Sequence, residues 1–309
     1  MPAVTSGKVL VTGANGYVAV WVVKSYLEKG FAVRGTVRSE SKAKHLRQLF
    51  QSYGDKFETI IVDDITKEGA FDEAVKGVDA IAHTASPFHD RADDPSEIIV
   101  PAVQGTLSML HSALQHGAQS VQRVVITASC ASIFEHGATP RVFSEKDWNE
   151  RAIREDVAVM NPPYVYGPVL HEVDKPEHLN ESLTLWWNAV VAGKLTDEEL
   201  VTIGYVLSVD ERLRSSLTMA ARCTDLVGPA ESVSSSARVP TRTRTVNIAH
   251  RLYPKLPAGN TSYDPAKAVH MISFNASKER KLLGIKYHTM EEMTRDTLED
   301  FIKRGWISV

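Results

Sequence analysis

The sequence VLVTGANGYVA at residues 9–19 places two glycines between an apolar run and an amphipathic stretch. Gly13 and Gly16 allow a tight turn, and Ala19 supplies a third small side chain where a helix must pack close to a strand. Backbone amides at the start of a helix bind phosphate oxygens, because they have no partner within the helix. The pattern predicts a dinucleotide pyrophosphate site, and a structural turn without a ligand is the alternative. The predicted contact residues are Gly13, Ala14, Asn15, Gly16, Tyr17 and Val18.

Two basic side chains follow the next apolar run, in the sequence GTVRSESK at residues 35–42. Where NAD is bound, an Asp or Glu usually stands at the end of this strand and binds the ribose 2′-hydroxyl. This chain instead has Arg38 and, four residues later, Lys42, whose cationic groups suit a 2′-phosphate. Glu40 between them weakens the case slightly, and both cations could be solvated surface charges. The sequence favours NADPH (or NADP) over NAD as the cofactor.

The elements that position these residues alternate between strand-like and helix-like segments as far as residue 129. Strands that alternate with helices in this way predict βαβ units, and therefore a parallel sheet covered on both faces. We expect an α/β fold, a Rossmann-type doubly wound parallel sheet with ligands at the carboxyl ends of its strands. The predicted strands are 8–12, 32–37, 57–63, 78–86 and 121–129, and the predicted helices are 16–29, 39–53, 71–75 and 95–116.

The second half of the chain is less regular. A Ser/Thr/Arg-rich region, 208–246, keeps neither a helical nor a strand period and is expected to be irregular. Two amphipathic helices are predicted after it, at 276–283 and 289–304. We therefore divide the chain into an NADP-binding Rossmann domain, residues 1–163, and a smaller C-terminal substrate lobe, residues 164–309. The basic residues of the irregular region are expected to be solvated and not to bind nucleic acid: Arg238, Arg242 and Arg244.

The bulk composition argues against several classes of protein. The chain has 309 residues, of which 43% are hydrophobic and 24% charged, and its net charge of -3 gives no general attraction to nucleic acid or membranes. Its two cysteines, Cys130 and Cys223, are too few for a disulfide framework, and no Cys/His cluster has metal-ligand spacing. Neither a signal peptide nor a membrane-spanning run is recognisable. We expect a cytoplasmic protein without metal, nucleic-acid or membrane partners, and the oligomeric state stays open.

The chain resembles the extended short-chain dehydrogenase/reductases, which are NAD-dependent epimerase/dehydratase-like proteins. It looks closest to the group of dihydroflavonol reductases, cinnamoyl-CoA reductases and NADPH-dependent methylglyoxal and aldehyde reductases. The resemblance implies an oxidoreductase that reduces an aldehyde or ketone, its small-molecule substrate, by hydride transfer from NADPH. The motifs that carry it are TGANGYVA (12–19), GTVRSESK (35–42), VDDIT (62–66), HTASPF (83–88), VVITASC (124–130), NPPYVYGP (161–168) and ASKERKLLGIKYHTMEE (276–292).

The resemblance also implies roles for individual residues. Ser129 matches the family's catalytic serine, whose hydroxyl would hydrogen-bond and polarise the substrate carbonyl. From the residues alone, a hydroxyl that merely caps the edge of the sheet is an equal alternative. The other implied positions are Asp64 and Ile65 beside the adenine, Thr84 and Ala85 along the ribose and pyrophosphate, Thr127 at the end of the serine's strand, and Pro162 and Tyr164 beside the nicotinamide.

One part of the family's active site is not found where it is expected. Members carry a Tyr-x-x-x-Lys on a helix after the serine, in which the tyrosine donates a proton to the developing alkoxide and the lysine lowers the tyrosine pKa. No tyrosine lies between Ser129 and Tyr164. The charged sequence NERAIRE instead runs directly into the apolar sequence DVAVMNPP. We predict that the active-site helix is deleted near residue 155 and that activity is impaired, and an inactive NADP(H)-binding sensor or scaffold is the alternative.

Three other tyrosines could be considered as replacements. Tyr263 and Lys267 form a Tyr-x-x-x-Lys, but Pro265 between them could at best begin a helix, with Tyr263 outside its first turn. Tyr164 and Tyr166 lie closer to the expected nicotinamide site, yet neither has a lysine four residues later. We therefore expect none of them to replace the missing pair.

Overall fold

The protein is built around one parallel sheet with helices packed against it. The computed structural model describes residues 4–87, 94–129, 132–133, 139–144, 146–148, 164–195, 206–208, 242–260, 262–264, 272–275, 277, 281 and 288–308. The helices and strands within these ranges are, in chain order, β1 (Lys8–Val11), α1 (Tyr17–Glu28), β2 (Ala32–Val37), α2 (Glu40–Leu49), β3 (Phe57–Ile61), β4 (Ala80–His83), α3 (Ser96–His116), β5 (Arg123–Ile126), β6 (Arg141–Phe143), β7 (Tyr164–Tyr166), α4 (Glu181–Val190), β8 (Val206–Ser208), α5 (Arg242–Leu252), β9 (Ile272–Phe274) and α6 (Met290–Lys303).

The central sheet has five strands in the order β3-β2-β1-β4-β5. Every neighbouring pair of strands is parallel. Val9 of β1 lies opposite Ala80 of β4, and Ile81 of β4 lies opposite Val124 of β5. The chain moves outward from β1 to β3 and then returns to the other side through β4, so the order reverses between β1 and β4. The predicted Rossmann-type α/β fold is confirmed, and its ligand site is expected at this reversal.

One hydrophobic cluster joins the first helix to the C-terminal helices. It includes Val20 and Tyr26 of α1, Trp186 of α4 and Phe301 of α6, all buried. The rings of Trp186 and Phe301 meet edge to face, with 5.8 Å between their centroids. Since this cluster contains residues from both sides of the predicted boundary at 163/164, the two predicted domains share a core, and the boundary itself stays a prediction.

The longest described helix, α3, has a face that no other described element covers. This uncovered face consists of Val100, Val103, Leu107 and Leu114, whose side chains are between 44% and 73% exposed. Their spacing of three, four and seven residues places them along one side of the helix. Neither α3 nor any other helix in the described ranges is long and apolar enough to cross a membrane.

One prediction of secondary structure was wrong, and a second was wrong over residues 242–246. The segment 71–75 is a run of turns and not a helix. Gly69 and Gly77, with φ of 72° and 67°, bound it on either side, so the helical backbone is limited to a short stretch between them, with one hydrogen bond from the Val75 amide to the Phe71 carbonyl. Within the predicted irregular region 208–246, residues 242–246 belong to helix α5, and residues 209–241 lie outside the described residues. Packing explains that helix, since Thr243, Thr245 and Val246 are buried while Arg244 between them is exposed.

The last predicted helix is confirmed as α6. Its first turn begins with a capping box, in which the Thr289 hydroxyl accepts from the Glu292 amide at 3.2 Å and the Glu292 carboxylate accepts from the Thr289 amide at 2.7 Å. Two backbone donors that the helix cannot satisfy are thereby paired. Asp300 near its other end accepts a hydrogen bond from the Val169 amide at 3.0 Å, which holds the segment after β7 against α6.

Candidate functional site

The carboxyl ends of the five sheet strands lie along one edge, and the predicted site residues follow them. Gly13 comes after β1, Arg38 after β2, Asp64 after β3, Thr84 after β4 and Ser129 after β5. Residues separated by more than a hundred positions in the chain are thus brought to one edge of the sheet. This is the edge at which open α/β sheets bind their ligands.

The turn between β1 and α1 is held by Thr36 of β2. The Gly13 amide donates to the Thr36 hydroxyl at 3.0 Å, and the Ala14 amide donates to the Thr36 carbonyl at 2.8 Å. The Gly16 amide then turns back to the Gly13 carbonyl at 2.9 Å. Thr36 was not among the predicted site residues, although a hydroxyl near the end of an apolar strand is a visible signal.

Close packing explains why the turn uses small residues. Gly13 has φ of 65°, and a Cβ atom there would lie 3.2 Å from both the Cα and the Cβ of Ala85. Gly35 of β2 is constrained in the same way, because a Cβ there would lie 2.7 Å from the Cβ of Ala14. The turn therefore fits between β2 and the segment after β4 only without these side-chain atoms.

The start of α1 has the features of an anion site. Gly16 is its N-cap and has no side chain to satisfy the first amides, and the first turn holds no acidic residue. The amides of Tyr17, Val18 and Ala19 have no acceptor within the helix, since its first hydrogen bond runs from the Val20 amide to the Gly16 carbonyl. Their exposed partial charges and the helix dipole favour a phosphate at this end.

Tyr17 also anchors the turn through its side chain. Its buried hydroxyl donates to the Gly167 carbonyl at 3.0 Å, and its ring meets that of His171 edge to face at 5.2 Å. Burial, followed by the nearby charge of Asp300, raises the Tyr17 pKa well above its usual value. The phenol stays neutral and ties the turn to the segment after β7, so any contact of Tyr17 with a ligand is made by its backbone.

The two basic residues after β2 are in different states. Arg38 is exposed, and its guanidinium makes no hydrogen bond to another of the described residues. Lys42 forms an ion pair with Glu172, with 3.1 Å between Nζ and Oε2. Glu40, which weakened the sequence argument, pairs instead with Arg47, two turns along the same face of α2. The carboxylate of Glu40 therefore does not neutralise Arg38.

Asp64 and Ile65 follow β3, and the Asp64 carboxylate is close enough to Arg38 for its pKa to be lowered by the charge of the guanidinium. The Asp64 carboxylate accepts from the Thr66 amide at 2.9 Å and from the Thr66 hydroxyl at 2.7 Å. These hydrogen bonds, with a smaller contribution from the charge of Arg38, lower the Asp64 pKa and keep the group ionised. Ile65 packs on Gly105 of α3, where an added Cβ would come within 2.6 Å of its Cδ1.

The segment after β4 is tied to the end of β1 by one hydroxyl. The amides of Thr84 and Ala85 both donate to the Thr12 hydroxyl, each at 3.0 Å. The Thr84 hydroxyl donates in turn to the Thr12 carbonyl, and His83 lies on the other side of Thr12. Neither Thr12 nor His83 was among the predicted site residues, although both stand next to predicted ones.

Ser129 is half-buried beyond the end of β5. Its carbonyl accepts from the amide and the hydroxyl of Ser132 at 3.1 and 2.6 Å, which bends the chain back at this point. Thr127 continues the strand pairing, since its amide donates to the His83 carbonyl at 2.9 Å. Ser129 therefore follows β5, the strand next to β4, and the residues that bond to Thr12 lie at the end of β4.

Burial excludes one of the tyrosine candidates, Tyr166, as a proton donor. Tyr166 is 2% exposed and packs against Trp186, so it belongs to the core. Tyr164 lies in β7 and is described only in its backbone, and Pro162 and Lys267 fall outside the described residues. The roles predicted for Tyr164 and Pro162 beside a nicotinamide accordingly stay predictions.

Comparison with known proteins places the chain among dinucleotide-dependent enzymes. Residues 9–165 match the NAD dependent epimerase/dehydratase family. NADPH-dependent methylglyoxal reductase GRE2 of Saccharomyces cerevisiae is 28% identical over 340 residues, which cover 96% of this chain and 98% of the yeast protein. Cinnamoyl-CoA reductase CAD2 of Medicago truncatula is 30% identical over 339 residues, with 97% of each chain covered.

A solved structure agrees with these matches. The crystal structure of yeast methylglyoxal/isovaleraldehyde reductase Gre2 in complex with NADPH superimposes with a TM-score of 0.80 at 26% sequence identity, covering 97% of this chain and all of that one. The sheet edge described above thus belongs to a fold whose relatives are oxidoreductases.

Proposed function

The chain belongs to the NAD-dependent epimerase/dehydratase family, and on that premise we propose that it is an NADP(H)-dependent oxidoreductase that reduces an aldehyde or ketone. The observation that carries this proposal is the β1–α1 turn, in which small residues, an uncapped helix start and the absence of acidic residues in the first turn leave room for a pyrophosphate. The relatives named methylglyoxal reductase and cinnamoyl-CoA reductase support the direction and the substrate class.

The proposed cofactor contacts follow the sheet edge. The pyrophosphate would lie on the turn from Gly13 to Gly16, and the 2′-phosphate beside Arg38 and Lys42. The adenine would lie beside Asp64 and Ile65, and the ribose and pyrophosphate would continue along Thr84 and Ala85. Because the guanidinium of Arg38 has no carboxylate paired with it among the described residues, it is available to a phosphate. This supports NADPH over NADH.

A bound NADPH would supply the hydride in the proposed reaction, and the protein would orient and polarise the carbonyl. The Ser129 hydroxyl would donate a hydrogen bond to the carbonyl oxygen, on which negative charge develops as the hydride arrives. That oxygen then needs a proton, which a positioned tyrosine supplies in the related enzymes that this chain resembles. A positioned general acid of this kind contributes about two to four orders of magnitude to the rate.

Two observations support the proposal that the active-site helix expected near residue 155 is missing. The match to the yeast reductase extends over 340 residues, more than the 309 of this chain, so the relative has residues without a counterpart here. The second is the uncovered face of α3. In related folds a further parallel strand would pair with the free edge of β5. The helix of the right-handed connection between β5 and that strand would lie beside α3, on the same side of the sheet. The apolar face of α3 would then be buried.

An NADP(H)-binding protein without turnover is the second candidate function. It is favoured by the absence of any tyrosine between Ser129 and Tyr164. One assay distinguishes the two candidate functions: NADPH absorbance is followed over time with and without a panel of small aldehydes. Saturable carbonyl-dependent oxidation supports the reductase, whereas NADPH binding with no carbonyl-dependent oxidation supports a sensor or scaffold.

Replacing Arg38 by glutamine is expected to weaken NADPH binding about tenfold or more and to leave NADH binding unchanged. A hydrogen bond to a charged group contributes about 1.5–3 kcal/mol, and only NADPH carries the 2′-phosphate. The dissociation constants of both dinucleotides are measured by fluorescence titration. Arg251→Gln serves as the matched control, since Arg251 is an exposed arginine of α5 that pairs with Glu291. An equal loss of affinity for both dinucleotides in Arg38→Gln would argue against a 2′-phosphate site here.

A further inference from the structure

His83, at the end of β4, is buried and has a polar partner for each ring nitrogen. It is 2% exposed, with Nδ1 at 3.0 Å from the Thr12 hydroxyl and Nε2 at 3.4 Å from the Thr106 hydroxyl. The Phe71 ring meets the imidazole edge to face, with 6.3 Å between centroids. The histidine therefore lies between the central strands and α3 and has no direct access to solvent.

The donors and acceptors around Thr12 determine which nitrogen carries the proton. The Thr12 oxygen accepts two amide hydrogens, from Thr84 and Ala85, at 3.0 Å each. A hydroxyl has two acceptor positions and one donor, so its own hydrogen remains for the Nδ1 atom of His83. Nδ1 must then be unprotonated, and the proton of the neutral ring is on Nε2.

The other side of the ring agrees with this assignment. The Thr106 hydroxyl donates to the Ala102 carbonyl at 2.8 Å, so its oxygen is free to accept the Nε2 hydrogen of His83. The Thr12 hydroxyl thus donates to His83, and His83 donates to the Thr106 hydroxyl. Reversing the tautomer would place two donors against each other at Thr12 and leave Thr106 without its hydrogen from the ring.

We propose that His83, as the neutral Nε2–H tautomer, is a positioning residue that sets the spacing between the β1–α1 turn and the segment after β4, and thereby the affinity for NADPH. Thr12 directly precedes Gly13, and Ala85 is the residue against which Gly13 packs. The hydroxyl that His83 orients therefore joins the two segments between which the proposed cofactor would pass. The proposal rests on the proposed function.

Burial favours the same neutral state. It lowers the His83 pKa to about 4, and no charged group contributes to that shift. The folded-state pKa is below that of the unfolded chain, so this contribution to stability is complete above about pH 6.5 and is lost as the pH falls toward about 4. The groups that face the ring are the uncharged Thr12, Thr106 and Phe71. His83 should therefore stay neutral throughout the range in which binding is measured.

The test combines a spectroscopic readout with a rescue by a similar residue. In the free protein, imidazole nitrogen NMR at neutral pH should show His83 with its proton on Nε2. His83→Leu removes the acceptor for Thr12 and is expected to raise the NADPH dissociation constant about tenfold. His83→Asn, whose side-chain oxygen can take the place of Nδ1, is expected to recover most of that loss. Thr12→Val and Thr12→Ser form a second pair with the same expected contrast, which applies should His83→Leu fail to fold.

The outcomes separate this inference from the proposed function. NADPH binding by the wild-type chain together with equal affinities of the leucine and asparagine variants, or a proton on Nδ1, would overturn the role of His83 alone. No binding by the wild-type chain would refute the proposed function and with it this role. Recovery in His83→Asn and Thr12→Ser, but not in His83→Leu and Thr12→Val, would establish both.

Discussion

An aspartate in place of Gly13 is expected to raise the dissociation constant for NADPH at least about a hundredfold. The position has φ of 65°, where an L side chain costs about 1–2 kcal/mol. Its Cβ would press on Ala85 at 3.2 Å, and the carboxylate would stand next to the proposed pyrophosphate, where like charges repel. Fluorescence titration with NADPH measures the change.

Gly77→Asp is the matched control for this variant. Gly77 has nearly the same backbone, with φ of 67°, but it is exposed and an added Cβ would meet nothing within 4 Å. It also precedes β4, so it lies toward the opposite edge of the sheet. Both variants carry the same backbone strain and the same new charge, and only Gly13→Asp should lose NADPH. Equal affinities in the two variants would show that the turn is not the pyrophosphate site.

Restoring an active-site helix is expected to raise kcat/KM for an aldehyde by about two to four orders of magnitude. The change is an insertion between Glu155 and Asp156 of the corresponding Tyr-x-x-x-Lys segment from the yeast methylglyoxal reductase. The physical reason is that a positioned tyrosine would protonate the oxygen that Ser129 polarises. Turnover is measured as aldehyde-dependent oxidation of NADPH.

The control is the same insertion with phenylalanine in place of its tyrosine. That version should fold and bind NADPH like the restored chain but stay as slow as the original. Both insertions should also bind less of a hydrophobic dye than the original chain, because the uncovered face of α3 would be buried. If the tyrosine version oxidises NADPH no faster than the phenylalanine version, the missing tyrosine is not what limits turnover by this chain.

The sequence predicted the elements of the first half because their signals are local. Short runs of β-branched residues, helical spacing and the glycine turn each lie within a few neighbouring residues, and strands such as 32–37 were predicted with their observed bounds. The prediction of a helix at 71–75 was wrong because positive-φ glycines at 69 and 77 bound the segment and keep its helical backbone short. Helix α5 was missed because its Thr/Arg alternation becomes a buried and an exposed face only after packing.

The residues that hold the site together could not be predicted in the same way. Thr36 contacts Gly13 across 23 positions of the chain, and His83 contacts Thr12 across 71. Such pairs depend on which strands become neighbours, and a single sequence contains no local pattern for that. The ion pair of Lys42 with Glu172 is another example, since it joins residues 130 positions apart.

Binding of NADPH at the edge of the sheet is the property on which the proposed function most directly depends. The measurement is a fluorescence titration of the purified 309-residue chain with NADPH and, in parallel, with NADH. We predict saturable binding of NADPH, with an affinity at least about tenfold higher than for NADH because of the 2′-phosphate contact with Arg38. No saturable binding, or equal affinity for the two dinucleotides, would contradict the account.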